Sequence, residues 1–168
     1  MTTTTTDTTS TRPSPAPASP STATATAPDP AAVMVLRRIF DEGFATGDGA
    51  VVDELCSPDL VEHQFGMAGR GAEALDHLRE AMAQVHAAMP DIAFTIEDAV
   101  QSGDTLWARV TGRGTATDPF FGPPSGRPVE ITVIDVVRVV DGRIVEHWGV
   151  PDRFALLAQT GVLDRLQA

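Results

Sequence analysis

The sequence predicts an α+β domain in which helices cover one face of an antiparallel sheet. Three observations carry that reading. Val33, Leu36, Phe40 and Phe44 recur at helical spacing, and so do Leu75, Leu78, Met82, Val85 and Met89. After Pro90 the apolar period changes from helical to alternating. Short turn signals, "SGD" and "DG", then separate long alternating runs. Helices followed by a strand meander define the class.

The elements follow in order. Residues 1–30 are nearly all Thr, Ser, Ala and Pro, and bury too little surface to offset the entropy of ordering. They are expected to form a disordered tail, with one domain over residues 31–168. The tail lacks the basic start and apolar core of a secretory signal. Asp29 is the expected cap of the first helix, with Pro30 at its first position and Gly47 as its stop. A short helix over 50–56 leads to a turn at "SPD" and a short strand, "LVEHQF" (60–65). The second long helix spans 71–90. Strands are expected over 91–101, 105–115, 129–140 and 143–150, with a Pro/Gly loop at 116–128. A closing helix over 152–161 has Asp152 as its N-terminal cap and Gly161 at its end.

Composition excludes several functions. The formal net charge is -11, which disfavours nucleic acid and anionic membrane surfaces. No apolar run is long enough for a membrane span. A single cysteine, Cys56, allows no internal disulfide and fits a reducing, cytoplasmic setting. All twelve basic residues are Arg and Tyr is absent, which removes Schiff-base lysines and phenolic acids. No phosphate loop or nucleophile elbow is present.

The hairpin around "DG" decides which side chains face each other. A two-residue turn on Asp141 and Gly142 pairs Val140 with Arg143 and sets Asp135 opposite Trp148. A three-residue loop with a bulge pairs Val139 with Arg143 and sets Asp135 opposite His147. The second register sorts the side chains better. It gives an apolar wall of Ile131, Val133, Val137, Val139 and Val145 that carries Asp135 and His147. Arg138 and Glu146 then pair on the other face. A buried carboxylate and imidazole on an apolar wall call for a partner or a purpose.

At this point the sequence resembles the SnoaL-like proteins, including the polyketide and ester cyclases. Their superfamily also holds ketosteroid isomerase, scytalone dehydratase and the nuclear transport factor. The segments "FATGDGAVVDELCSPDLVEH", "MPDIAFTIEDAVQSGDTLWARVTGRGT", "GPPSGRPVEI" and "VVRVVDGRIVEHWGVPDRFALLAQTGVL" carry the likeness, which spans nearly all of residues 33–163. The resemblance implies a cone: a curved antiparallel sheet around helices, enclosing an apolar pocket. It implies acid-base chemistry without metal or nucleotide. In the family's cyclases an acid in the turn after the "EHW"-like strand end exchanges a proton in an aldol-type ring closure, helped by a histidine on the preceding strand. That acid falls at Gly149 here and that histidine at Asp135.

The expected function is therefore a cofactor-free cyclase or isomerase of secondary metabolism, acting on a small apolar metabolite. His147 is the expected acid-base group and Asp135 its partner. His63 is a candidate contact to the substrate oxygen, with a strand-end histidine reaching solvent as the alternative. Gln64 alternates to the opposite face from His63, so the two are not expected to share the pocket. Arg109 is a candidate oxyanion or carboxylate partner, or else a solvated strand arginine. Phe40, Phe44, Met67 and Trp107 are candidate pocket-lining residues, and Phe120 and Phe121 a candidate lid. His77 and His86 lie on opposite sides of the second long helix. No close-spaced ligand motif supports a metal at His63, Asp135 and His147, so no metal or other cofactor is expected. The absence of an acid at Gly149 keeps two alternatives open: a non-catalytic ligand-binding protein, or a dimeric protein-interaction module. A homodimer through the outer sheet face, where Trp148 is expected, fits all three.

Overall fold

The structure is a computed structural model that describes residues 24–119 and 124–165. Most of the expected tail, and both Phe120 and Phe121, lie outside the described residues. Helix α1 (Pro30–Arg38) starts where Asp29 accepts a hydrogen bond from the Ala31 amide. Its winding widens to a π-type turn over Ile39–Phe44. Helix α2 (Val51–Leu55) runs straight into strand β1 (Cys56–Glu62), which is followed by β2 (Gly69–Arg70) and α3 (Ala72–Ala88). The meander is β3 (Ala93–Ser102), β4 (Thr105–Thr115), β5 (Pro128–Val140) and β6 (Arg143–Pro151). Helices α4 (Arg153–Gln159) and α5 (Val162–Arg165) close the chain.

The six strands form one open sheet in the order β2-β1-β6-β5-β4-β3. Irregular registers in β3 and β6 bend it around the helices. The meander is antiparallel as expected, but β1 pairs with β6 in parallel. Strand β1 also begins earlier than expected, running through "SPD" rather than turning there. Pro58 is tolerated because it sits in the gap between the paired positions Cys56 and Val61. Before Pro30, Thr26 exchanges backbone hydrogen bonds with Gln101 on β3, the edge strand. Ordered contact thus begins inside the segment expected to be tail, where it covers an open strand edge.

The core lies between the concave sheet face and α1 and α3. Leu36, Leu60, Met82, Leu106 and Val110 are fully buried there. Each contributes roughly 1.5–3 kcal/mol of transfer free energy. Phe40, Phe44 and Phe94 form an aromatic cluster, with Phe40 and Phe94 ring centroids 4.8 Å apart. No described helix is long and apolar enough to cross a membrane.

The β5–β6 turn is the two-residue form, not the three-residue loop the sequence favoured. Asp141 and Gly142 both have positive φ, 50° and 74°, as a type I′ turn requires. Val140 pairs with Arg143 and Val139 with Ile144. An extra residue, Val145, then shifts the register, so Arg138 pairs with Glu146 and Val137 with His147. Asp135 consequently stands directly opposite Gly149 rather than His147. The shift of one residue restores the facial sorting that the longer loop was expected to provide.

Candidate active site

Residues at 135, 137, 147 and 149 share the concave face, and the sheet twist lets His147 reach Asp135 diagonally. The His147 Nε2 to Asp135 Oδ1 distance is 2.9 Å. The imidazole has a second carboxylate partner on its other side: Glu62 Oε2 lies 2.5 Å from Nδ1. Glu62 is 2% exposed and Asp135 4%, so both carboxylates are buried. Glu62 Oε1 accepts a hydrogen bond from the Gln64 backbone amide at 2.7 Å. One buried carboxylate therefore fixes both the histidine ring and the start of the next loop.

Two carboxylates flanking one imidazole favour the imidazolium, which donates to both. Burial works against that charge. Asp135, by its charge and its hydrogen bond, and then Glu62 more than offset it, and His147 is pushed up to about 10. Both ring nitrogens are committed to the flanking carboxylates. Asp135 Oδ2 makes no hydrogen bond among the described residues, and Asp135 lines the cavity.

The cavity is about 240 Å³ in volume. Its walls are apolar, with Leu36, Phe40, Phe44, Met67, Leu78 and Val133 among them. Its polar lining residues are Gln64, Gln84, Asp135, His147 and Arg153. The Cys56 thiol also lines it and is pushed up to about 12, chiefly by burial, so it is a poor nucleophile.

The structure brings Phe40, Phe44, Met67, Asp135 and His147 together at this cavity. It takes His63, Arg109 and Trp107 away from it. His63 follows the end of β1 and points to the convex side. There it stacks on Trp148 at 4.5 Å and contacts Glu146 at 2.9 Å. Arg109 and Trp107 alternate on β4 with the buried Leu106, Ala108 and Val110, so they must face outward. Arg109 pairs with Asp98 on the convex face, and Trp107 is 50% exposed. His63 is on the other side of the sheet from Asp135 and His147, so the three do not converge as ligands. Among the described residues, no group of three or more His, Cys, Asp or Glu has the arrangement of a metal site. Asp152 is a helix cap, accepting from the Ala155 amide at 2.9 Å.

Sequence reasoning missed Glu62. The signal was present: Leu60, Glu62 and Gln64 share one parity, and Leu60 is fully buried. Following the Leu60 face by two residues leads to Glu62, and by four to Gln64.

A bent open sheet closed by helices over an apolar cavity, with a carboxylate–imidazole–carboxylate relay on its wall, defines a cone-fold small-molecule pocket protein. The sequence profile of the SnoaL-like polyketide cyclase family matches residues 34–160, and the chain belongs to that family. Among solved structures it is similar to IdmH, a candidate polyketide cyclase from Streptomyces antibioticus. The identity is 36% and the TM-score 0.65, over 77% of this chain and 98% of that one. It is also similar to TsrD from Streptomyces laurentii, at 27% identity and TM-score 0.66, over 80% of this chain and 98% of that one. A Catenulispora acidiphila protein with a ketosteroid-isomerase-like fold, in complex with trimethylamine, shares the fold alone. Its identity is 15% and its TM-score 0.61, over 79% of this chain and 93% of that one. No curated protein matches the chain.

Proposed function

We propose that this chain is a cofactor-free proton-transfer enzyme that cyclises or isomerises a small apolar carbonyl metabolite. The observation that carries this reading is Asp135. One of its oxygens is held by His147, and the other is open to an apolar cavity. The roles first assigned to the pair are exchanged. His147 has both nitrogens occupied, so it holds and tunes, while Asp135 meets the substrate. Asp135 Oδ2 takes a proton from the carbon beside the carbonyl, and the C–H electron pair moves to give an enolate. The enolate carbon attacks an electrophilic carbon of the same molecule, or is reprotonated elsewhere on it. Asp135 returns its proton to the resulting alkoxide or carbon. In the cyclisation the new C–C bond forms as the C=O π bond of the attacked carbon breaks and its electron pair becomes the alkoxide; no oxidant or reductant is needed.

Gly149 does not remove the acid from this pocket. Asp135 is its direct partner across the ladder, and directly opposed Cα atoms lie only about 4.5–5.5 Å apart. The carboxylate thus stands one strand away from the position where the resemblance puts the family's acid.

The test follows loss of the α-proton signal of 2-tetralone in D2O by NMR. Positioned acid-base groups contribute roughly 10²–10⁴-fold, so wild-type protein is expected to accelerate exchange and Asp135→Asn to fall to the buffer rate. Equal exchange in both proteins would sink the assignment. Ketone binding without exchange would establish the ligand-carrier reading instead.

A second copy of the chain is the occupant we propose for the convex face. Trp107, Val136 and Trp148 align across β4, β5 and β6, and Ile134 and Val150 are exposed on the same face. Apolar surface of this kind invites a partner.

A further inference from the structure

Gln64, Gln84 and Arg153 line the cavity without taking part in the relay. Gln64 lies in the loop between β1 and β2, and its side chain turns into the pocket. Its backbone is fixed at both ends of the residue. The Gln64 amide donates to Glu62 Oε1 at 2.7 Å, and its carbonyl accepts from the Met67 amide at 2.9 Å. The side-chain amide is held far more loosely. Among the described residues Nε2 donates only to the Met67 thioether, at 3.2 Å, and a thioether is a weak acceptor. An amide N–H facing an apolar cavity with no better partner is a donor in reserve for a ligand oxygen.

The place of that amide is set by Gly149. A Cβ on residue 149 would stand 1.8 Å from Gln64 Oε1 and 2.9 Å from its Cδ. Gln64 occupies the volume that any larger side chain at 149 would fill. Gly149 is also the ladder partner of Asp135; the amide turns Oε1 toward Gly149 and Nε2 toward Met67, and it lines the same cavity as Asp135. A ketone whose oxygen accepts from Gln64 Nε2 would share the cavity with Asp135. The negative charge that develops on that oxygen during proton removal would draw the Nε2–H from the weakly accepting Met67 thioether.

We propose that Gln64 is the carbonyl-binding residue of this pocket and that Gly149 is glycine in order to seat it. The ligand class is then an apolar ketone or ester bound through its oxygen. This rests on the proton-transfer reading above and extends it from the base to the electrophilic partner. Gly149 acts through Gln64 and is a positioning residue.

The probe is 2-tetralone, bound to the full chain and followed by the infrared stretch of its carbonyl. Bound to wild type, the stretch is expected to fall below its value in cyclohexane, as hydrogen bonding requires. Gln64→Leu should return it to the cyclohexane value, with affinity lower by roughly two- to tenfold. Gly149→Ala should do the same, because its new Cβ evicts the amide. The atoms it overlaps are the far end of the flexible Gln64 side chain, with His147 Cε1 a tight 3.1 Å away, so a thermal unfolding midpoint near wild type and an unchanged His147 titration together show that the fold and the flanked ring are kept. The double variant should lose no more than either single one, since both remove the same contact. Asp135→Asn should leave the stretch lowered while abolishing exchange, so failure of the base and failure of the amide give different results. The proposal is overturned if wild type does not bind the ketone, or if the stretch is the same in wild type and Gln64→Leu. A stretch still lowered in Gly149→Ala overturns the role given to Gly149.

Discussion

Glu62→Gln tests the relay at its most hidden member. The substitution keeps an oxygen for the Gln64 amide but presents an NH2 to His147 Nδ1 in place of the carboxylate. Two donors then face each other. The ring resolves this by losing its proton at Nδ1 and keeping the Nε2–H bond to Asp135. A hydrogen bond to a charged group is worth about 1.5–3 kcal/mol, and one pH unit corresponds to about 1.4 kcal/mol. His147 should therefore titrate about 1–2 units below its wild-type value of about 10. Asp135 outweighs Glu62 in raising His147, so Asp135→Asn should lower it further. With both carboxylates neutralised, burial acts alone and His147 should titrate below 6.5. The assay is a pH series of histidine ring resonances, with only four histidines to assign. The linkage has a definite sign. Because the folded value is raised above the unfolded 6.5, the stabilisation is complete below pH 6.5 and is lost as pH rises through about 10. It amounts to on the order of 5 kcal/mol at its full extent, so urea midpoints should fall between pH 6 and pH 10, and less steeply in Glu62→Gln. A wild-type His147 that titrates near 6.5, or that is unmoved by Glu62→Gln, would refute the reasoning.

Other perturbations probe the frame and the convex face. Leu106→Ala removes a fully buried side chain outside the cavity wall and should cost about 2–5 kcal/mol by urea denaturation. Gly142→Ala forces a side chain into the left-handed turn position and should cost about 1–2 kcal/mol, with tetralone exchange retained. Trp107→Glu places a charge at the exposed end of the apolar row that runs from Trp107 through Val136 to Trp148. Sedimentation should show a dimer in wild type and a monomer in the variant; a wild-type monomer would end the dimer proposal.

What could be read from the sequence follows the range of the interactions involved. Strand β4 occupies the residues expected for it, and the "DG" turn is where it was placed, because alternation and turn chemistry are local. Asp135 and His147 share the concave wall as the alternation implied. The register behind that result was misread, since Val145 is apolar and nothing marks it as an inserted residue. Glu62 was missed because its burial depends on the parallel pairing of β1 with β6, strands more than 80 residues apart. Reading "LVEHQF" alone favoured the histidine, the more familiar proton carrier, over the glutamate on the Leu60 face. Arg109 and Trp107 were misplaced for a simpler reason. Their neighbours Leu106, Ala108 and Val110 already claimed the inner side.

The pairing of Asp135 with Gly149 bears on how members of this family are sorted. On the proposed reading the carboxylate has an address in the cavity, and two adjoining strands, β5 at Asp135 and β6 at Gly149, offer alternative doors to it. An inspection of position 149 alone finds a glycine and misses the carboxylate directly across the ladder. Columns joined by a ladder rung are better read as one site with two possible hosts. Where one host is reduced to glycine, the rung partner is the first place to look for the missing group.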